Sequence, residues 1–366
     1  MSTTNLRVAV MWTELSGYLN ACLNALFNRY NVELDVTRIA NEGTNRHPYD
    51  ESIFEWMPSL RTLPDAGARN AEKLLTEIKN FAPHVAIISG WDMPVYRKVA
   101  RTLRKQGVYV IGAVDNPWHG SLKQRIGVFV SPWYVTPLFD VLWVPGERGA
   151  TFARYLGFSG EHIMQGLYSA DCARFSVIGE WREKQDQASW PRRFLFAGRF
   201  SREKGIEDLV SAYQLYKEVT ERPWDLWVAG NGPLDGLLSN IDGVRLLGFI
   251  QPEYFDQILR QVGVFVLPSH YDPWPLVIHE MTLAGLPILC SRQCGSSVEL
   301  VQDGYNGFLF DAGDVDGLAS LLQLVSSKDI DLLEMGRRST ILSNRYSPEQ
   351  WADYLIDHIS RYVQTK

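Results

Sequence analysis

Along the first half of the chain, short aliphatic and β-branched runs alternate with stretches whose apolar residues recur at helical spacing. LRVAVM (6–11), VELDVTRI (32–39), HVAIIS (84–89), VYVIGAV (108–114) and DVLWV (140–144) read as buried strands. A helix is expected around 17–29, and VYRKVARTLRKQG has the amphipathic pattern of a covering helix. Strands that are apolar throughout, spaced by helical patterns, predict a parallel sheet covered on both faces. From 176 to 192 the text turns charged and loses its periodicity, which predicts a linker. The alternation then restarts with RFLFAG, DLWVAG, VRLLGF, GVFVLP and PILCS. The expected architecture is therefore α/β, with two doubly wound Rossmann-like domains facing across a cleft. Their expected bounds are 1–175 and 193–345, and a helix over 346–366 is expected to pack back toward the first domain. Ligands in such sheets bind outside the carboxyl ends of the strands.

Composition narrows the class. At 366 residues, 46% hydrophobic and 21% charged, the chain is an ordinary globular protein of about two domains. Its net charge of -6 argues against general nucleic-acid binding, so any basic site is local. Four cysteines (Cys22, Cys172, Cys290, Cys294) form no disulfide framework and lack a nearby histidine to complete a zinc set, as expected of reduced thiols in the cytoplasm. The opening MSTTNLRVAVMW lacks the basic-then-apolar order of a signal peptide. The most apolar stretch, 128–146, is broken by Pro132, Pro137 and Asp140, so no membrane span is expected.

Two segments carry candidate chemistry. In FAGRFSREKGIEDLV the strand ends at Gly198, and Arg199 and Lys204 stand in the loop before a helix. A planar fork and a compact point charge at a strand end suit a diphosphate. In LPSHYDPWPLVIHEMTLAGLPIL a buried strand passes through a proline-rich turn into a helix, with Asp272 and Glu280 eight residues apart. Pro275 fits the first helical position. Leu276 and Val277 would then offer unpaired backbone N–H groups at a positive helix end. Glu280, about one turn further in, is placed to accept from two ribose hydroxyls.

These segments, with VAGNGP, LLGFIQPEYFDQIL and CGSSVELVQDGYNGFLF, follow in order the pattern of glycosyltransferase family 4, densely over roughly 192–315. The chain resembles these retaining enzymes of the GT-B fold, which use nucleotide-diphospho-sugars. The resemblance implies that Arg199 and Lys204 grip the donor diphosphate and that Glu280 holds the ribose. It implies that backbone groups near Phe249 and Ile250 read the base, and that Leu276 and Val277 form the phosphate-binding helix start. The donor is expected to be a UDP-hexose such as UDP-glucose, and the acceptor a glycan or lipid-linked sugar bound by the first domain. No cofactor or metal is expected, and no nucleic acid. A cytoplasmic location is expected, with peripheral contact at the inner face of the membrane.

Several positions depart from the family pattern. Asp272 stands where the first acid is usually Glu, shortening its reach by about 1.5 Å. Pro273-Trp274-Pro275 replaces a glycine-rich turn that would offer N–H donors to the sugar, and proline has none. Ser16-Gly17 alone represents the usual glycine pair after the first strand. Where a histidine often follows the VYVIGAV strand, Asp115 stands instead and His119 comes four residues later; His119 is taken as the sugar contact, with Asp115 the alternative. Trp91 and Asp92 line the acceptor side, or Asp92 caps a helix. With no Asp-x-Asp pair at a strand end, charge on the departing diphosphate falls to Arg199, Lys204 and the helix N-terminus. A GDP-mannose-dependent transferase and a non-catalytic nucleotide-sugar-binding subunit are the competing readings; intact Arg199, Lys204 and Glu280 argue against the second. The segment from Trp118 to Trp143 holds Phe129, Trp133, Tyr134 and Phe139, with Lys123 and Arg125 near its start. These aromatics either fill the core or, beside local cations, face an anionic membrane surface.

Overall fold

The structure, a computed structural model, describes residues 6–39, 51–64, 71–251, 254–327 and 329–364. Pro252 and Glu253, within the quoted LLGFIQPEYFDQIL, and the first five residues lie outside this set. The chain forms two compact units, one of residues 1–169 with 346–366, the other of 170–345.

The first unit holds, in order, β1 (Arg7–Met11), α1 (Gly17–Tyr30), β2 (Glu33–Ile39), β3 (Leu60–Leu63), α2 (Ala71–Phe81), β4 (Val85–Ser89) and α3 (Pro94–Lys105). It continues with β5 (Tyr109–Ala113), α4 (Leu122–Tyr134), β6 (Val141–Val144), α5 (Glu147–Tyr155) and β7 (Ile163–Gln165). The strands form one sheet in the order β3-β2-β1-β4-β5-β6-β7, and every pairing is parallel. The second unit holds α6 (Cys172–Glu183), β8 (Arg193–Ala197), α7 (Ile206–Val219), β9 (Asp225–Ala229), β10 (Val244–Gly248), α8 (Phe255–Leu259) and β11 (Val264–Leu267). Then come α9 (Leu276–Leu283), β12 (Ile288–Ser291), α10 (Ser297–Leu300), β13 (Gly307–Phe310), α11 (Val315–Ser326) and α12 (Leu332–Ser343). Its six strands run parallel in the order β10-β9-β8-β11-β12-β13. Finally α13 (Pro348–Gln364) returns to the first unit. There Trp351 stacks on Trp143 with ring centroids 4.6 Å apart and donates its indole N–H to Leu167 O.

The strand sequences explain this arrangement. VLWV, VFVL and ILCS are buried at every position, as strands covered on both faces require. In each sheet the strand order reverses once, between β1 and β4 and between β8 and β11. Such a switch point leaves adjacent loops diverging to opposite faces, and the crevice between them takes ligands. The loops after β8 and β11 are those that carry Arg199, Lys204 and Asp272.

The stretch expected as a linker is largely structured. Residues 172–183 form α6, whose Phe175, Ile178, Gly179 and Arg182 are buried. A charged residue on the inward face hid the helical period. The Arg182 guanidinium donates to Leu259 O and Val262 O and lies 5.1 Å from the Trp190 ring, and burial pulls its pKa down to about 9. Gly179 allows α6 to approach α9 closely, since a Cβ there would stand 2.4 Å from Leu283 O.

Candidate active site

Two loops of the second unit are stitched together by backbone bonds. Glu203 O accepts from His270 N (2.8 Å) and Tyr271 N (3.3 Å), so the turn after β8 lies against the loop after β11. Gly205 sits at φ +69°, and a side chain there would place its Cβ 2.0 Å from Pro268 O. The contact therefore demands glycine at this position. Its result is that Lys204 Nζ meets Asp272 Oδ2 at 2.5 Å. The pair is sheltered, with 22% of the lysine side chain and 10% of the aspartate exposed. Burial pushes the Asp272 carboxyl up, while Lys204 and the Trp274 N–H pull it back. In the turn Pro273-Trp274-Pro275 only Trp274 has an N–H, and this one serves Asp272. Arg199 lies on the same loop as Lys204 and is exposed, and the Gly198 N–H donates to Ala229 O.

Pro275 is the N-cap of α9 rather than its first helical residue, with φ -66° and ψ 100°. The extended ψ, impossible inside a helix, shifts the start by one residue. Leu276 and Val277 thereby occupy the first two helical positions, whose N–H groups have no partner within a helix. Glu280 is half-buried one turn further along. Burial pushes its carboxyl up to about 7; Arg174 on α6 lowers it and Asp171 raises it. Phe249 and Ile250, both half-buried, follow β10, and Gly248 O accepts from Gly230 N at 2.8 Å. Among the described residues no three His, Cys, Asp or Glu side chains gather as a metal set.

In the first unit a second cluster lies at strand ends. Asp115 follows β5, and the Tyr168 hydroxyl donates to its Oδ2 at 3.3 Å. Tyr168 meets Tyr18 edge-on at 5.3 Å and Trp12 at 6.5 Å. Burial raises the Asp115 carboxyl and pushes the Tyr18 hydroxyl up to about 12. Ser16 is buried at the N-cap of α1, and Gly17 is the first residue of that helix. His119 stands apart: it is exposed, and its backbone N–H donates to Gln124 Oε1 at 2.9 Å. Asp92 does not cap α3, because Met93 occupies that position. Trp91 O instead accepts from the Arg97 guanidinium at 2.8 Å, and its ring lies 6.5 Å from Phe139.

Sequence reasoning missed Tyr18 and Tyr168 beside Asp115, and Arg174 and His279 beside Glu280. The His279 ring is buried and neutral: Nδ1 accepts from Ala170 N, Nε2–H donates to Ser343 O, and burial lowers its pKa to about 4. The signal for Arg174 was present in GLYSADCARF, which follows the same family pattern weakly.

Residues 177–358 match the model of the family "Glycosyl transferases group 1". Glycogen synthase of Mycobacterium tuberculosis is 30% identical over 251 residues, covering 66% of this chain and 57% of that protein. The 2-deoxystreptamine N-acetyl-D-glucosaminyltransferase of Niallia circulans is 30% identical over 144 residues, 37% of this chain and 36% of that one. The chain thus spans about half the length, or less, of these curated relatives. Among solved structures, Anabaena HepE in complex with UDP and glucose superposes with a TM-score of 0.73 at 16% identity, covering 97% of this chain and all of the other. Residues 177–358 thus resemble the group 1 glycosyltransferases, and the chain has the GT-B fold.

Proposed function

We propose that the protein transfers a hexose, with retention, from a UDP-hexose such as UDP-glucose to a glycan or lipid-linked acceptor in polysaccharide or glycolipid synthesis. The second unit binds the donor and the first the acceptor. The observation that carries this reading is the Lys204–Asp272 pair, held between the loops that follow β8 and β11, with the start of α9 just beyond it. The diphosphate lies against Arg199, Lys204 and the N–H groups of Leu276 and Val277, and Glu280 accepts from the ribose hydroxyls. The backbone at Phe249 and Ile250 meets the base. HepE, structurally similar, holds UDP and glucose, which supports a UDP donor here.

In the reaction the bond from C1 of the sugar to the diphosphate oxygen breaks, and its electron pair leaves with UDP. The acceptor hydroxyl forms the new bond on the same face, and its proton passes to the departing phosphate. Arg199 and Lys204 are already in place to stabilise the charge that develops there, with no metal required. The protein works in the cytoplasm, in peripheral contact with the membrane when the acceptor is lipid-linked. A panel of UDP- and GDP-sugars, read by binding and slow hydrolysis, tests the assignment; tight binding of GDP-mannose alone would overturn the UDP reading.

Asp115, rather than His119, is the better partner for a sugar hydroxyl. Its half-buried carboxyl has one hydroxyl donor, and a second would offset more of its lost hydration. Asp115→Asn is expected to reduce kcat/KM for the sugar donor by on the order of tenfold, the scale of one charge-assisted hydrogen bond, with affinity for UDP alone unchanged. His119→Ala is expected to stay within about twofold of the parent, since an exposed histidine contributes little. The reverse ranking of these two variants returns the role to His119.

A further inference from the structure

The aromatic segment between β5 and β6 divides in two. Phe139 and Trp143 are core residues, 1% and 0% exposed. The helix before them, α4, is inverted with respect to an ordinary crossover helix. Leu122, Ile126, Phe129 and Trp133 are 74%, 56%, 75% and 70% exposed. Their spacing of four, three and four residues aligns them on one face, a stripe about 16 Å long at 1.5 Å per residue. The uncharged polar residues Gln124 and Ser131 turn inward instead. Gln124 donates to Pro117 O at 2.8 Å, and the buried Ser131 hydroxyl donates to Leu156 O at 2.7 Å. Only Val128 adds apolar packing from α4 to the adjoining core cluster. A helix that satisfies Gln124 and Ser131 internally and offers four large apolar side chains to water is built to be covered by something else.

Charge identifies the cover. From 94 to 134 the chain holds seven Lys or Arg and one acid, Asp115, within a protein of net charge -6. Two of the seven are paired, Lys98 with Glu72 and Arg104 with Asp140. Arg97, Arg101, Lys105, Lys123 and Arg125 form no ion pair among the described residues. The α3 cations adjoin α4: the Arg97 guanidinium lies 5.2 Å from the Tyr134 ring centroid, and Arg104 donates to Thr136 O. An apolar stripe ending in Trp133 and Tyr134 and flanked by cations suits the headgroup layer of an anionic bilayer, where aromatic rings and basic side chains both settle. A second copy of the chain suits it less, because a two-fold contact through this face would oppose the same cations to one another.

We infer that the outer face of α4, with the basic residues of α3 beside it, docks the protein on an anionic lipid surface. The test is flotation of the full-length protein with phosphatidylglycerol/phosphatidylcholine vesicles and with phosphatidylcholine vesicles, without any sugar nucleotide. It therefore stands or falls separately from the transferase reading. The parent is expected to float with the anionic vesicles and to bind the neutral ones at least about fivefold less, the share of the cations. Phe129→Ser/Trp133→Ser and Lys123→Glu/Arg125→Glu are each expected to reduce binding by about tenfold or more. Both should keep the parent's melting temperature and UDP-sugar hydrolysis, since these side chains are on the surface. The inference is overturned if the parent does not bind, if it binds neutral vesicles equally, or if both variants bind as the parent does. It is overturned equally by concentration-dependent self-association that Phe129→Ser/Trp133→Ser abolishes in a protein that ignores vesicles.

Discussion

Lys204→Ala is expected to lower turnover on a UDP-hexose by on the order of 100-fold or more, the scale of losing one preorganised charge-stabilising group. Arg199→Ala should cost about as much in turnover, but the two variants should differ in stability. Arg199 is exposed, so its removal leaves folding nearly unchanged. Lys204 is the ion partner of Asp272, whose side chain is only 10% exposed, and removing the lysine strands a carboxylate that burial already penalises. Stranding one member of a fully buried pair costs about 3–5 kcal/mol; partial exposure reduces this to roughly 1–3 kcal/mol here. Thermal melting should therefore show Lys204→Ala below Arg199→Ala, and Lys204→Ala/Asp272→Asn should recover most of the difference without recovering turnover. Asp272→Asn alone frees the ammonium from its competitor, so UDP should bind at least as tightly as to the parent while transfer falls. Parent-like turnover in Lys204→Ala, measured on protein shown to be folded, would remove the diphosphate assignment.

The elements most legible in the sequence were those whose residues are apolar on both faces. RFLFA, VFVL and ILCS can only be buried strands, and the structure has them at β8, β11 and β12. Of the edge strands, VRLLG was legible at β10 but β3 was not. In β3, LRTL, Arg61 reaches inward to the buried Asp35, an arrangement that apolar periodicity cannot reveal. The same limit concealed α6, where Arg182 occupies a core position, and the orientation of α4, whose apolar stripe faces water. For the candidate site, residue types after two strands suggested Lys204 and Asp272, and the helix that follows suggested Glu280. Their pairing was not readable: Lys204 and Asp272 are 68 residues apart, and only the closeness of the loops after β8 and β11 joins them. Likewise Tyr168 lies 53 residues from Asp115, and nothing in GLYSADCARF pairs the two.

Glu280→Gln is expected to weaken UDP binding by about 2–3 kcal/mol, roughly 30- to 150-fold, because a carboxylate accepting from two ribose hydroxyls becomes an amide with one acceptor. The loss should depend on pH. In the free protein burial holds the Glu280 carboxyl at about 7, above the ordinary 4.5, so near neutral pH much of it carries a proton. On the proposed reading the ionised form accepts from the ribose, so binding is expected to expel that proton. Parent affinity should fall as pH drops below 7, by up to tenfold per unit, and level off above it. Ionisation of UDP itself contributes to both proteins, so the difference between parent and Glu280→Gln isolates this carboxyl. The same shift predicts a stability effect of defined sign. Between about 4.5 and 7 the folded state binds more protons at this site than the unfolded state. Its contribution to stability is thus present in acid and lost as pH rises through 7. Saturating UDP, which favours the ionised form, should reduce that loss, and Glu280→Gln should lack it altogether. Titrations of UDP affinity at pH 5.5, 6.5 and 7.5, with melting curves at each, decide the matter. An affinity difference that stays constant across the three would show that Glu280 does not change its ionisation on binding, and would take the ribose from it.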